Sequence, residues 1–127
     1  MSSDEDKFAA GLSVMRDMFG PRADQVVESG TDFTRPLDDM VMRYCFGEVW
    51  QRPLLGRKIR SMLTLAIIAT LNRPNEFKGH VAGAIKNGVS KDEIREVLLH
   101  TMVYAGVPAG VASLHSALEV LKELGLE

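Results

Sequence analysis

From Leu37 to Val49 the apolar residues Leu37, Met40, Val41, Tyr44, Cys45 and Val49 return every three or four positions. That period belongs to a helix with one buried face. Pro36 sits where helices start, with Thr34 as its cap, and the helix is predicted to run to Trp50. Before it, Met1–Met18 reads as an amphipathic helix closed by Gly20-Pro21, and Ala23–Ser29 as a short further turn before Gly30. Gln51–Gly56 reads as a loop. Arg57–Leu71 is apolar almost all round after Arg60, which predicts the central buried helix. Asn75–Lys86 is the next helix, stopped by Asn87-Gly88 in a left-handed turn. Ser90 with Glu93 three residues on forms a capping box for a helix to Ala105. Gly106 breaks that helix, and Pro108 fits the first turn of a last one ending near Leu124-Gly125. No segment alternates like a strand. The pattern predicts an all-α bundle of about six helices, and 127 residues suit a single domain over residues 1–127 with a real hydrophobic core.

Composition narrows the classes. Fifteen basic residues stand against 17 acidic ones, so no broad basic face advertises nucleic acid. The lone Cys45 has no intrachain partner and fits a reducing compartment. Between Tyr44 and Phe46 it reads as a buried structural thiol. The opening MSSDEDKF is acidic, unlike a secretory signal. The longest uncharged apolar run, Ser61–Leu71, is about half the length that spans a bilayer. A soluble cytoplasmic protein without membrane contact is expected. Seven Met, Trp50 and apolar positions outside the central helix exceed what one small bundle hides, which points to a homo-oligomer.

Two polar constellations carry candidate chemistry. Arg73, Glu76 and His80 share one helical face, so Glu76 is expected to raise the basicity of the imidazole. The bland reading is a common surface pair worth a few tenths of a kcal/mol. Glu93, Glu96, His100 and Tyr104 form a stripe that either lines a cleft or lies solvated. His115, between Leu114 and Leu118, is expected to pack or to meet another subunit. The three histidines stand far apart with no close pair and no cysteine pair, so no metal site is expected. Arg57 and Arg60, with Arg52 and Lys58 near in sequence, put positive charge at the start of the central helix, against its macrodipole. They are either solvated or hold an anion. No G-x-S-x-G, P-loop or dinucleotide fingerprint is present.

Residues 46–110, through "GEVWQRP", "RSMLTLA", H-x-x-x-A-x-x-N-G-V-S-x-x-E-I-x-E-V-L-L-H and "VYAGVPA", resemble the carboxymuconolactone decarboxylase family, closest to its short single-domain members. The resemblance implies an all-helical, alkyl hydroperoxidase D-like fold assembled as a homohexamer, a trimer of dimers. It implies cofactor-free decarboxylation of a dicarboxylic lactone, 4-carboxymuconolactone, to the β-ketoadipate enol-lactone in protocatechuate breakdown. Thiol peroxidases of the wider family carry C-x-x-C-x-x-x-H; here Arg73 and Glu76 stand at the cysteine positions and His80 is kept. Nothing there can form a thiolate, which argues against redox chemistry through that motif. His80, the one role resting on a family position, becomes the expected proton donor, tuned by Glu76. Chemistry and helical facing nominate Arg57, Arg60 and Arg73 for anchoring carboxylate and stabilising oxyanion, and Trp50, His100 and Tyr104 as lining. Two alternatives stay open: a paralogous enzyme acting on another small lactone or keto acid, and a non-catalytic oligomeric binding protein.

Overall fold

The structure is a computed structural model that describes residues 3–127, so the expected helix start at Met1 lies outside the described residues. It contains α1 (Asp4–Phe19), α2 (Arg22–Ser29), α3 (Arg35–Met40) with a π-helical continuation (Val41–Val49), α4 (Arg57–Leu71), α5 (Pro74–Lys86), α6 (Lys91–Ala105) and α7 (Val107–Glu123). Among the described residues there is no strand, and no helix is long and apolar enough to cross a membrane. The all-α expectation holds, and the chain forms two compact units, one up to Gly56 and one from Arg57.

In the first unit, Ser3 and Asp6 close a capping box on α1. That helix packs on the π-helical segment at two glycines. A Cβ on Gly11 would collide with the Met42 carbonyl, and one on Gly47 with the Lys7 carbonyl. Only glycine lets these backbones approach so closely. Around the crossing, Val14, Met15, Met18, Ala23, Met42 and Phe46 form the core. Phe46 meets Phe19 edge-on at 6.2 Å and Trp50 at 5.5 Å. The sequence predicted an ordinary helix through Trp50, but the Trp50 N–H reaches the Cys45 carbonyl, five residues back, at 2.9 Å. Over so few residues, apolar spacing of three to four does not distinguish an α from a π turn. Cys45 is half-buried rather than enclosed. The Thr34 side chain does not cap α3; its hydroxyl accepts the Thr31 N–H at 2.9 Å.

The second unit is a four-helix cluster in which α4 and α7 each pack on both α5 and α6. Leu65, Ala69, Phe77, Val81, Ala84, Ile94, Leu98, Ala117 and Val120 fill it. Each large core side chain contributes roughly 1.5–3 kcal/mol by leaving water. The Ser90–Glu93 box forms as expected, with both bonds at 3.0 Å. At the end of α5, Gly88 takes φ 90° and the buried Val89 donates its N–H to the Ala84 carbonyl at 2.9 Å, a Schellman closure. One expectation is corrected. α4 buries Ser61, Leu65 and Ala69, but Ile59, Leu63, Ile67 and Leu71 stay about half exposed along its other side. A helix apolar all round carries no polar face to show which side its neighbours leave open.

Candidate functional site

The polar residues singled out in sequence concentrate on the α4–α5 hairpin. Its turn is two residues, Asn72 in the left-handed region (φ 57°) and Arg73 as the N-cap of α5. So short a connection makes the two helices antiparallel neighbours. Pro74 opens α5, where its missing N–H leaves no orphan donor.

Packing sets the rotation of α5. Phe77, Val81 and Ala84 point into the core. Glu76, His80 and Asn87 then fall on the strip beside that face, at spacings of four and seven. Glu76 is exposed, whereas His80 is half-buried with its Nδ1 enclosed by protein. Burial pulls the His80 pKa below its ordinary 6.5, and the nearby Glu76 carboxylate pushes it back only in part. The net direction is therefore opposite to that expected from sequence. Spacing shows the carboxylate one turn away but not the desolvation that outweighs it.

On α4, Arg57, Ser61, Thr64 and Ile68 form the matching strip, with Arg60 at its edge. Asn87 Nδ2 donates to Ser61 Oγ at 2.9 Å, which turns the two strips toward one another. Arg57 and Arg60 are half-buried, and Arg60 Nε is enclosed. Lys58 departs from this set. Its ammonium lies 2.9 Å from Glu93, whose carboxyl is held below the usual range first by the Ser90 N–H and then by Lys58. That acid offsets one of the positive charges opposing the α4 macrodipole.

Arg73 turns back on the hairpin. Its Nη1 donates to the Leu71 carbonyl at 3.1 Å and the Asn72 carbonyl at 3.4 Å, capping the end of α4. It also borders a groove walled by Ile68, Phe77, Ser113 and Ser116. His100 and Tyr104 lie on the exposed side of α6 with ring centroids 5.0 Å apart and planes inclined at 50°, and α6 packs on α4 and α7 rather than extensively on α5. Trp50 belongs to the first unit, against Phe46. His115 is exposed on α7. No group of three or more metal-ligating side chains occurs among the described residues. The hairpin thus carries Arg57 and Arg60 at the start of α4, Arg73 and Glu76 at its turn, and His80 midway along α5. Two of its polar residues were not singled out for this role in sequence: Ser61, a lone small hydroxyl on an apolar helix, and Asn87, read there only as a helix stop.

Residues 35–119 match the model of the carboxymuconolactone decarboxylase family. The chain is 38% identical over 125 residues to a 4-carboxymuconolactone decarboxylase of Acinetobacter baylyi, covering 98% of this chain and 93% of that protein. It is 40% identical over 108 residues to a nitrosuccinic acid decarboxylase of Metarhizium robertsii, covering 84% of this chain and 76% of that protein.

Proposed function

This chain belongs to the carboxymuconolactone decarboxylase family, and on that footing we propose that it is a carboxy-lyase converting 4-carboxymuconolactone to the β-ketoadipate enol-lactone. The substrate is a butenolide with a carboxylate on the ring carbon γ to the lactone carbonyl and a carboxymethyl arm. When the carboxylate leaves as CO2, its bonding pair passes through the ring double bond to the lactone oxygen. The dienolate so formed has furan-like conjugation. Because the substrate accepts its own electrons, the protein has three tasks: anchor the arm, stabilise the oxyanion, and protonate the carbon α to the lactone carbonyl.

The observation that supports this assignment best is His80, half-buried on α5, the helix packed against the α4 that bears Arg57 and Arg60. A desolvated imidazolium with a lowered pKa is a strong acid toward a carbanion. Arg57 and Arg60 are the anchor and oxyanion candidates. Arg73 joins them if its guanidinium, engaged through Nη1, turns its remaining N–H groups to the ligand. His100 and Tyr104 remain proposed lining groups within the second unit.

The test is direct. Protein dialysed against chelator and free of added thiol is given 4-carboxymuconolactone, and substrate loss and CO2 are followed. Turnover by protein alone is expected. Inertness, or a requirement for thiol or transition metal, overturns the assignment. A second reading is favoured by the nitrosuccinic acid decarboxylase relative. Nitrosuccinate is also a diacid, and its nitro group can accept the electron pair, so the same protein tasks apply. A kcat/KM larger for nitrosuccinate than for the lactone would select it.

The protein works as a cytoplasmic homohexamer, a trimer of dimers, within protocatechuate catabolism. The exposed α4 stripe supports self-association, since four regularly spaced large apolar residues in water are costly.

A further inference from the structure

We propose that the Ser61–Asn87 hydrogen bond is a positioning contact that fixes the rotation of α5 on α4 and so sets the direction in which His80 faces. The proposal rests on the catalytic reading of His80 above. Ser61 is 1% exposed, one residue after Arg60 and four after Arg57. Its partner lies 26 residues along the chain, at the opposite end of the hairpin from the Asn72-Arg73 turn. Between those ends the helices meet through Leu65, Ala69, Phe77, Val81 and Ala84. Apolar burial is non-directional, so it tolerates a helix rolling or sliding by a fraction of a turn. A hydrogen bond of 2.9 Å does not.

Asn87 can serve because its own backbone N–H already closes α5 on the Gly83 carbonyl at 3.0 Å, leaving the side chain for α4. It stands seven residues after His80, two turns along the same strip, or about 10 Å at 1.5 Å per residue. Any roll of α5 at Asn87 is therefore carried to His80. Ser61 and Asn87 are positioning residues: they act through the helix that bears the proton donor.

Ser61→Ala, Asn87→Ala and the double variant are compared by steady-state kinetics on 4-carboxymuconolactone and by the ring Cε1–H NMR cross-peaks of the histidines. Each single variant is expected to lose roughly ten- to a hundredfold in kcat with KM within twofold, the scale of small misplacements of a reacting group. The double variant should be no worse than either single one. The His80 cross-peak should move in each, while that of His115, exposed on α7, stays put. Asn87→Asp, which lets the Ser61 hydroxyl donate to a carboxylate, should recover most of the kcat and covers the case in which the alanine variants do not fold. An unmoved His80 cross-peak, additive losses, or failure of Asn87→Asp to exceed Asn87→Ala overturns the proposal. If the unmutated protein does not turn over the lactone, the functional reading falls, while the cross-peaks still decide the positioning role.

Discussion

His80 is the proposed proton donor, and its environment makes the pH behaviour specific. Burial favours the neutral ring, so the protonated form prevails only below the ordinary 6.5. If the cation is the acid, kcat/KM is level at low pH and falls as pH rises through a value below 6.5. His80→Gln should cost at least about a hundredfold in turnover and remove that limb. The same shift acts on stability with a fixed sign. The unfolded chain takes up the proton first, so the stability this residue contributes is present above 6.5 and lost as pH falls through the lowered folded value. Urea midpoints of wild type and His80→Gln across that range should therefore converge or cross on acidification. Arg57→Met or Arg60→Met should raise KM for the lactone; an unchanged KM would return either arginine to surface duty.

At the scale of elements, caps and close crossings do the deciding. Capping boxes at Ser3 and Ser90 begin α1 and α6. Both are local, because the bonding partners lie three residues apart, and the one at Ser90 was legible from its spacing. The crossing of α1 with the π-helical segment was not, because Gly11 and Gly47 are far apart in sequence and each reads alone as a weak helix former. Gly47→Ala should destabilise the chain by at least about 1–3 kcal/mol in a denaturant titration, since the added methyl meets backbone that cannot move aside. Leu65→Ala, in the core of the second unit, should cost about 2–5 kcal/mol by the same measurement.

For the whole molecule, exposed apolar surface bears on the proposed assembly. Besides the α4 stripe, Leu37, Met40 and Tyr44 are exposed in the first unit, as are Val103, Val107 and Val111 on α6 and α7. Leu63→Lys with Ile67→Glu should convert the proposed homohexamer to smaller species in sedimentation velocity while helical circular dichroism is retained. A monomeric wild-type protein would remove the assembly from the proposal.

The sequence by itself determined what depends on near neighbours: the helices and most of their stops, the absence of strands among the described residues, the capping box at Ser90, and the placing of Glu76 and His80 one turn apart on one helix. Family resemblance added the reaction. Only the tertiary structure decided how those helices turn. It buried His80 and so reversed the expected direction of its pKa, folded Arg73 back as a cap on α4, gave Lys58 to Glu93, and joined Ser61 to Asn87. Periodicity records which residues share a face, whereas desolvation and long-range hydrogen bonds depend on what is packed against that face.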